Sequence, residues 1–159
     1  MTPEEKARQK IDQWFSDAGW KVVDRDEYEP TCTAVAIREG LLKGNLETDY
    51  FLFINGKAVG VLEAKREETD AFSDKVCNQA VLYARNVPKI YQTYQKPLPF
   101  IFTSNGKELY FCDFRKQDSC FNQIMTIPTP YELVKLLGIN DYFAGLPTLR
   151  KKRITRLSV

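Results

Sequence analysis

The stretch "TDYFLFINGKAVGVLEAK", residues 48–65, decides the fold. Two apolar runs flank Asn55-Gly56, a dipeptide strongly favoured in tight hairpin turns, so the segment predicts two apolar strands joined as a hairpin. The second run ends in charge, with Glu63 and Lys65 on either side of Ala64. Side chains alternate along a strand, so Glu63 and Lys65 share one face of the sheet. Asp49 opens the first run fourteen residues before Glu63.

Whether Asp49 joins that face depends on the connection. With a strict two-residue turn, Ile54 stands opposite Lys57 and Asp49 opposite Leu62, which sends Glu63 to the other face. A three-residue connection with Gly56 in the left-handed conformation, or an equivalent bulge, restores the parity. An odd-length loop or such a bulge is therefore expected.

Two carboxylates on one face, supplemented by a backbone carbonyl and water, form a hard oxygen site suited to Mg²⁺. Lys65 on the same face can orient a water or offset charge on a phosphoryl group in its transition state. An isolated Glu-x-Lys is more often a surface ion pair. The aspartate across the hairpin, on strands otherwise too apolar to need charge, shifts the balance toward a site. Gln79 and Tyr83, spaced i and i+4 on the next helix, share one face and can brace it or meet a phosphate.

Composition narrows the chemistry. The 159 residues contain no histidine, which excludes histidine zinc sites, Ser-His-Asp triads and histidine bases within this chain. The net charge of +2 gives no bulk attraction to nucleic acid, so any such contact must come from a local patch. Cys32, Cys77, Cys112 and Cys120 form no CxxC pair, and reduced thiols in a cytoplasm are expected. No apolar run reaches the roughly 20 residues of a membrane span.

Outward from the hairpin, Thr2-Pro3-Glu4 opens a helix with Ala7, Ile11, Trp14, Phe15 and Ala18 on its apolar face, ended by Gly19. "WKVV" and "CTAVAI" suggest strands. A second helix is expected from Asp70 to Asn86, capped by Thr69 or Asp70, with Pro88 beyond its end. "LPFIFTSNGKELYFCDF" repeats the hairpin pattern around Asn105-Gly106. "TPYELVKLLG" reads as a short helix capped by Thr129 and closed by Gly138. The order implies a mixed β-sheet flanked by helices in an α/β fold.

Asp49, then Glu63-Ala64-Lys65, then "QAVLY" from Gln79 to Tyr83 together resemble the PD-(D/E)xK nuclease superfamily with its QxxxY extension. "DAGW", "NQAVLYA", "LPFIFTSNG" and "PTPYEL" fall in the order of a narrower family, the N-terminal nuclease domain of the type I restriction enzyme R subunit. The resemblance implies a restriction-endonuclease-like core and a Mg²⁺-dependent DNA endonuclease, a type I site-specific deoxyribonuclease. Asp49 and Glu63 would be metal ligands, Lys65 the catalytic lysine, and Gln79 and Tyr83 accessory residues near double-stranded DNA. Glu5 matches a position where relatives often carry a glutamate near the metal, although an acid there also suits a helix N-terminus. Thr48 departs from the small residue that many relatives have before the aspartate.

The resemblance also implies an ATP-dependent motor elsewhere in the full-length subunit, since no phosphate-loop motif occurs here, and assembly with modification and specificity subunits. Residues 1–147 are read as the nuclease domain. The basic run from Arg150 to Arg156, within residues 148–159, is read as a solvated linker toward that motor rather than a DNA contact. Two other readings share the fold: a repair nuclease or junction resolvase, and a non-catalytic docking module. Intact Asp49, Glu63 and Lys65 speak against the docking module.

Overall fold

A computed structural model describes residues 1–30 and 33–139 of the chain. The basic run at 150–156, the boundary near residue 147 and Cys32 lie outside the described residues. Helix α1 (Pro3–Asp17) begins with a complete capping box, in which Thr2 and Glu5 exchange backbone-to-side-chain hydrogen bonds. Its buried residues Ala7, Ile11 and Phe15 follow the helical period.

Four strands follow: β1 (Lys21–Asp24), β2 (Ala34–Leu41), β3 (Glu47–Ile54) and β4 (Lys57–Ala64). Helix α2 (Asp74–Ala84) then leads to β5 (Gln92–Thr93), β6 (Phe100–Ser104), β7 (Leu109–Asp113), β8 (Asn122–Ile124) and helix α3 (Pro130–Leu137). The strands form one mixed sheet in the order β1-β2-β3-β4-β6-β7-β8, with β5 pairing the start of β4. β1 runs parallel to β2 and β4 parallel to β6, whereas the remaining neighbours along that order are antiparallel. The connection through α2 is what permits the parallel β4–β6 pair.

A core lies on each face of the sheet. On one side Ile11 and Phe15 of α1 and Leu133 and Val134 of α3 pack against Tyr50, Leu52, Leu62, Phe100 and Phe102. On the other, Ala80, Tyr83 and Ala84 of α2 cover Phe51, Phe53, Val61 and Ile101. β3 and β4 are consequently buried along both faces, which accounts for their unbroken apolar runs.

The start of α2 differs from the expectation. Its cap is Ser73, whose Oγ accepts a hydrogen bond from the Val76 N–H, and the helix begins four residues after Asp70. Asp70 instead accepts from the Phe72 N–H in a local turn, and the Ala71 carbonyl accepts from the Thr103 hydroxyl at 2.7 Å. Those bonds hold 70–73 against the sheet as irregular chain.

The hairpin loop also differs in part. Ile54 pairs with Lys57, so Asn55-Gly56 is a two-residue turn, with φ of 51° and 78° at its two positions. Positive φ at both is the signature of a type I′ turn, which suits the twist of the flanking strands. Gly56→Ala is expected to lower stability by about 1 kcal/mol because a Cβ is disfavoured in that region. Urea denaturation would measure it, and an unchanged midpoint would refute the account.

Candidate active site

The parity that the tight turn upsets is restored by a bulge. Phe53 pairs with Ala58 but Leu52 pairs with Gly60, so Val59 is an extra residue on β4. Beyond it, Phe51 faces Val61 and Tyr50 faces Leu62, and the next step brings Asp49 opposite Glu63. The bulge thus supplies what an odd-length loop would have supplied. Side-chain bonds tie the two positions together: the Asp49 N–H donates to Glu63 Oε1 at 3.4 Å, and the Ala64 N–H donates to Asp49 Oδ2 at 2.7 Å.

Exposure is graded across the group. The side chain of Glu63 is 3% exposed, that of Asp49 18% and that of Lys65 30%. Lys65 continues the ladder to β6 through its backbone N–H to the Ser104 carbonyl, while its ammonium stands 3.9 Å from Glu63 Oε2. Burial, and then the negative charge of Asp49 and a hydrogen bond to it, push the Glu63 carboxyl up to about 8; Lys65 opposes this only partly. A buried acid held partly neutral by a neighbouring acid lacks positive charge. A divalent cation between the two would let both ionise, so this donor set fits the expected Mg²⁺.

On α2, Gln79 Nε2 donates to the Tyr83 hydroxyl at 2.9 Å. Burial raises the Tyr83 phenol, Gln79 works against that rise, and the charges of Glu63 and Asp49 add to it. Tyr83 and Gln79 therefore border the acid pair from the helix that covers this face. Glu5 is placed differently: it is exposed, and its carboxylate closes the capping box of α1. The structure brings together Asp49, Glu63, Lys65, Gln79 and Tyr83, and leaves the Glu5 side chain on its own helix terminus.

Three neighbours had no sequence signal as site residues. Arg8 of α1 forms an ion pair with Asp49 Oδ1 and another with Glu39 at 3.1 Å. Burial disfavours the Arg8 charge, but Asp49 and Glu39 outweigh it and raise its pKa. Thr48, fully buried, has its hydroxyl 3.3 Å from both Glu63 Oε1 and the Tyr50 carbonyl, so the departure from a small residue adds a polar partner. Asn105 is also buried, and it donates to the carbonyls of Thr69 and Glu67 while accepting from the backbone of Lys107 and Glu108. It secures the chain that leaves Lys65. Among the described residues the group of three acids close enough to share an ion is Asp24, Asp26 and Glu27, which is exposed; Asp24 pairs with Arg38, and Glu27 caps a 3₁₀ turn.

The family model for the N terminus of the type I restriction enzyme R protein matches residues 35–119, from β2 to the end of the β6–β7 hairpin and beyond. The chain belongs to this family. The matched segment includes Asp49, Glu63, Lys65, Gln79 and Tyr83. Among solved structures, the fold is similar to a fragment described as an HsdR subunit of a type I restriction enzyme from Vibrio vulnificus YJ016. That match has a TM-score of 0.56 at 20% identity and covers 89% of this chain. The chain spans 27% of the length of that structure. No curated protein matches.

Proposed function

We propose that this chain is the Mg²⁺-dependent DNA endonuclease domain of a type I restriction-modification R subunit. The observation that carries the reading is the pair of buried Glu63 and half-buried Asp49, with Lys65 beside it, on two adjacent strands of the sheet. Membership of the family supports a nuclease in general terms, and the acid pair supports the chemistry.

Asp49 and Glu63 would hold the ion, which when bound supplies Lewis acidity toward a phosphoryl oxygen and toward water. Lys65, the most exposed of the three, keeps its ammonium 3.9 Å from Glu63 Oε2, from where it would donate hydrogen bonds to the attacking water or to a phosphoryl oxygen. Gln79 and Tyr83 position the strand with their amide and hydroxyl. Glu63 is held in turn by Thr48 and the Asp49 backbone, and Arg8 holds Asp49.

In this reading the substrate is double-stranded DNA, bound through its backbone, with ATP hydrolysis in a motor region of the longer subunit. Modification and specificity subunits would supply methylation and site choice, and the complex would work in the cytoplasm. No helix among the described residues is long and apolar enough to cross a membrane.

Calorimetric titration with Mg²⁺ or Mn²⁺ tests the reading. Binding is expected in the wild type and lost in Asp49→Ala and Glu63→Ala proteins that still fold. Cation binding that survives both substitutions, or a folded wild type that binds no cation even with DNA present, would leave a docking module as the better account.

A further inference from the structure

The acid pair and its neighbours leave a second polar feature unexplained. A pocket of about 300 Å³ opens between the end of α2, the connection from β2 to β3 and the chain before β6, lined by Lys43, Ala84, Arg85, Val87, Lys96 and Pro97. Three cations from three separate segments converge on it. None of them forms an ion pair among the described residues.

For Arg85 that isolation is unusual in this molecule. Arg8, Arg25, Arg38, Arg66 and Arg115 all pair with carboxylates, and Arg85 is the remaining arginine among the described residues. Its guanidinium stands 5.3 Å from the centre of the Phe114 ring, which restrains the group without using its hydrogen-bond donors. Position near a helix C-terminus would favour Arg85 alone. It gives no reason for Lys43 and Lys96 to meet it.

Chain connections run from the pocket to the acid pair. Arg85 follows Tyr83 by two residues and Lys43 precedes Asp49 by six. The Lys43 N–H donates to the Asn86 carbonyl at 2.9 Å, which ties the entry to β3 to the end of α2. Ala84 and Val87, in the floor, belong to the same core face as Tyr83. An apolar floor beneath unneutralised cations strengthens their pull on an anion, and a guanidinium fork matches phosphate oxygens.

We propose that this pocket is a phosphate-binding site, occupied by a backbone phosphate of the DNA strand that crosses the acid pair. The source of the phosphate rests on the nuclease reading above, whereas the anion chemistry stands without it. Arg85 supplies the directional donors and the lysines supply charge. The contact carries no base information, so it acts equally on every sequence.

The test compares wild type with the triple variant Lys43→Gln, Arg85→Gln, Lys96→Gln. Fluorescence anisotropy with a labelled duplex in calcium would be measured across a salt series, beside calorimetric titration with inorganic pyrophosphate. The variant is expected to bind duplex about tenfold more weakly and to lower the salt slope by about 1, alike for unrelated sequences. Pyrophosphate binding should vanish with it. If duplex affinity, slope and pyrophosphate binding all match wild type, or wild type binds neither probe, the pocket is no anion site and the proposal falls, while cation binding at Asp49 and Glu63 still carries the nuclease reading. If wild type binds pyrophosphate through the pocket but binds no duplex, the assignment of its phosphate to a DNA strand is overturned and the site takes a free phosphate, while cation binding at Asp49 and Glu63 still decides the nuclease reading.

Discussion

Glu63→Gln is expected to melt well above the wild type at pH 9 without divalent cations, and to gain nothing when they are added. Folding raises the Glu63 carboxyl from 4.5 to about 8, so between those values the folded chain holds a proton that the unfolded chain has released. Stability of the metal-free wild type therefore falls as pH rises through this window and levels off above it. The full effect is on the order of 3–5 kcal/mol, or roughly 10 °C in melting temperature for a chain of this length. Glutamine keeps the shape and removes the charge, so its curve should be flatter and should meet the wild type near pH 5.

Magnesium should narrow or close the gap. A cation that binds only the folded wild type stabilises it by about 3 kcal/mol at a hundred times its dissociation constant, and more effectively once Glu63 has lost its proton. Melting curves from pH 5 to 9, with and without magnesium, provide the check. Parallel pH profiles for the two proteins, or equal stabilisation of both by magnesium, would show that Glu63 is neither the strained acid nor a ligand.

Gly60→Ala should be the most damaging small substitution in the hairpin, lowering stability by about 3 kcal/mol or more. A Cβ at this position would stand 2.4 Å from the Phe100 carbonyl oxygen and 3.2 Å from its carbon, and both atoms are backbone. Relief requires β4 and β6 to separate where Gly60 pairs with Phe100, next to the bulge that aligns the acids. Gly44→Ala provides the contrast, since nothing lies within 4 Å of a Cβ there and the cost should be the ordinary one of about 1 kcal/mol for a left-handed residue. Urea denaturation of the pair measures the difference; equal midpoints would mean that the strands have more freedom than their register implies.

Local signals in the sequence carry over into the structure at several places. The caps at Thr2 and Thr129, the Asn55-Gly56 turn and the helical spacing of Gln79 and Tyr83 each depend on residues a few positions apart. The requirement that Asp49 and Glu63 share a face was also legible, because side-chain parity follows from counting. The device that meets it was not. Ala58, Val59, Gly60 and Val61 are buried on both sides of the sheet, so no alternation marks the extra residue.

What remained hidden was long-range. Arg8 reaches Asp49 across 41 positions and Asn105 reaches Thr69 across 36, and neither partnership leaves a periodic trace. Asp70 misled for a similar reason: it is a plausible helix cap, but the Ala71–Thr103 bond makes the chain there part of the sheet's edge structure. Glu5 exchanges capping bonds with Thr2 at the start of α1, a partnership its local sequence already offers.

The position of the acids on β3 and β4 has a consequence for control. Both strands are covered on two sides and flanked by further strands, so the amides of Val61 to Ala64 should exchange with deuterium only when the whole domain opens. Such a centre behaves as a fixed anvil with little latitude to rearrange. On the proposed nuclease reading, regulation of cutting would fall to the delivery of the strand, to how long it dwells and how firmly it is pressed against the anvil.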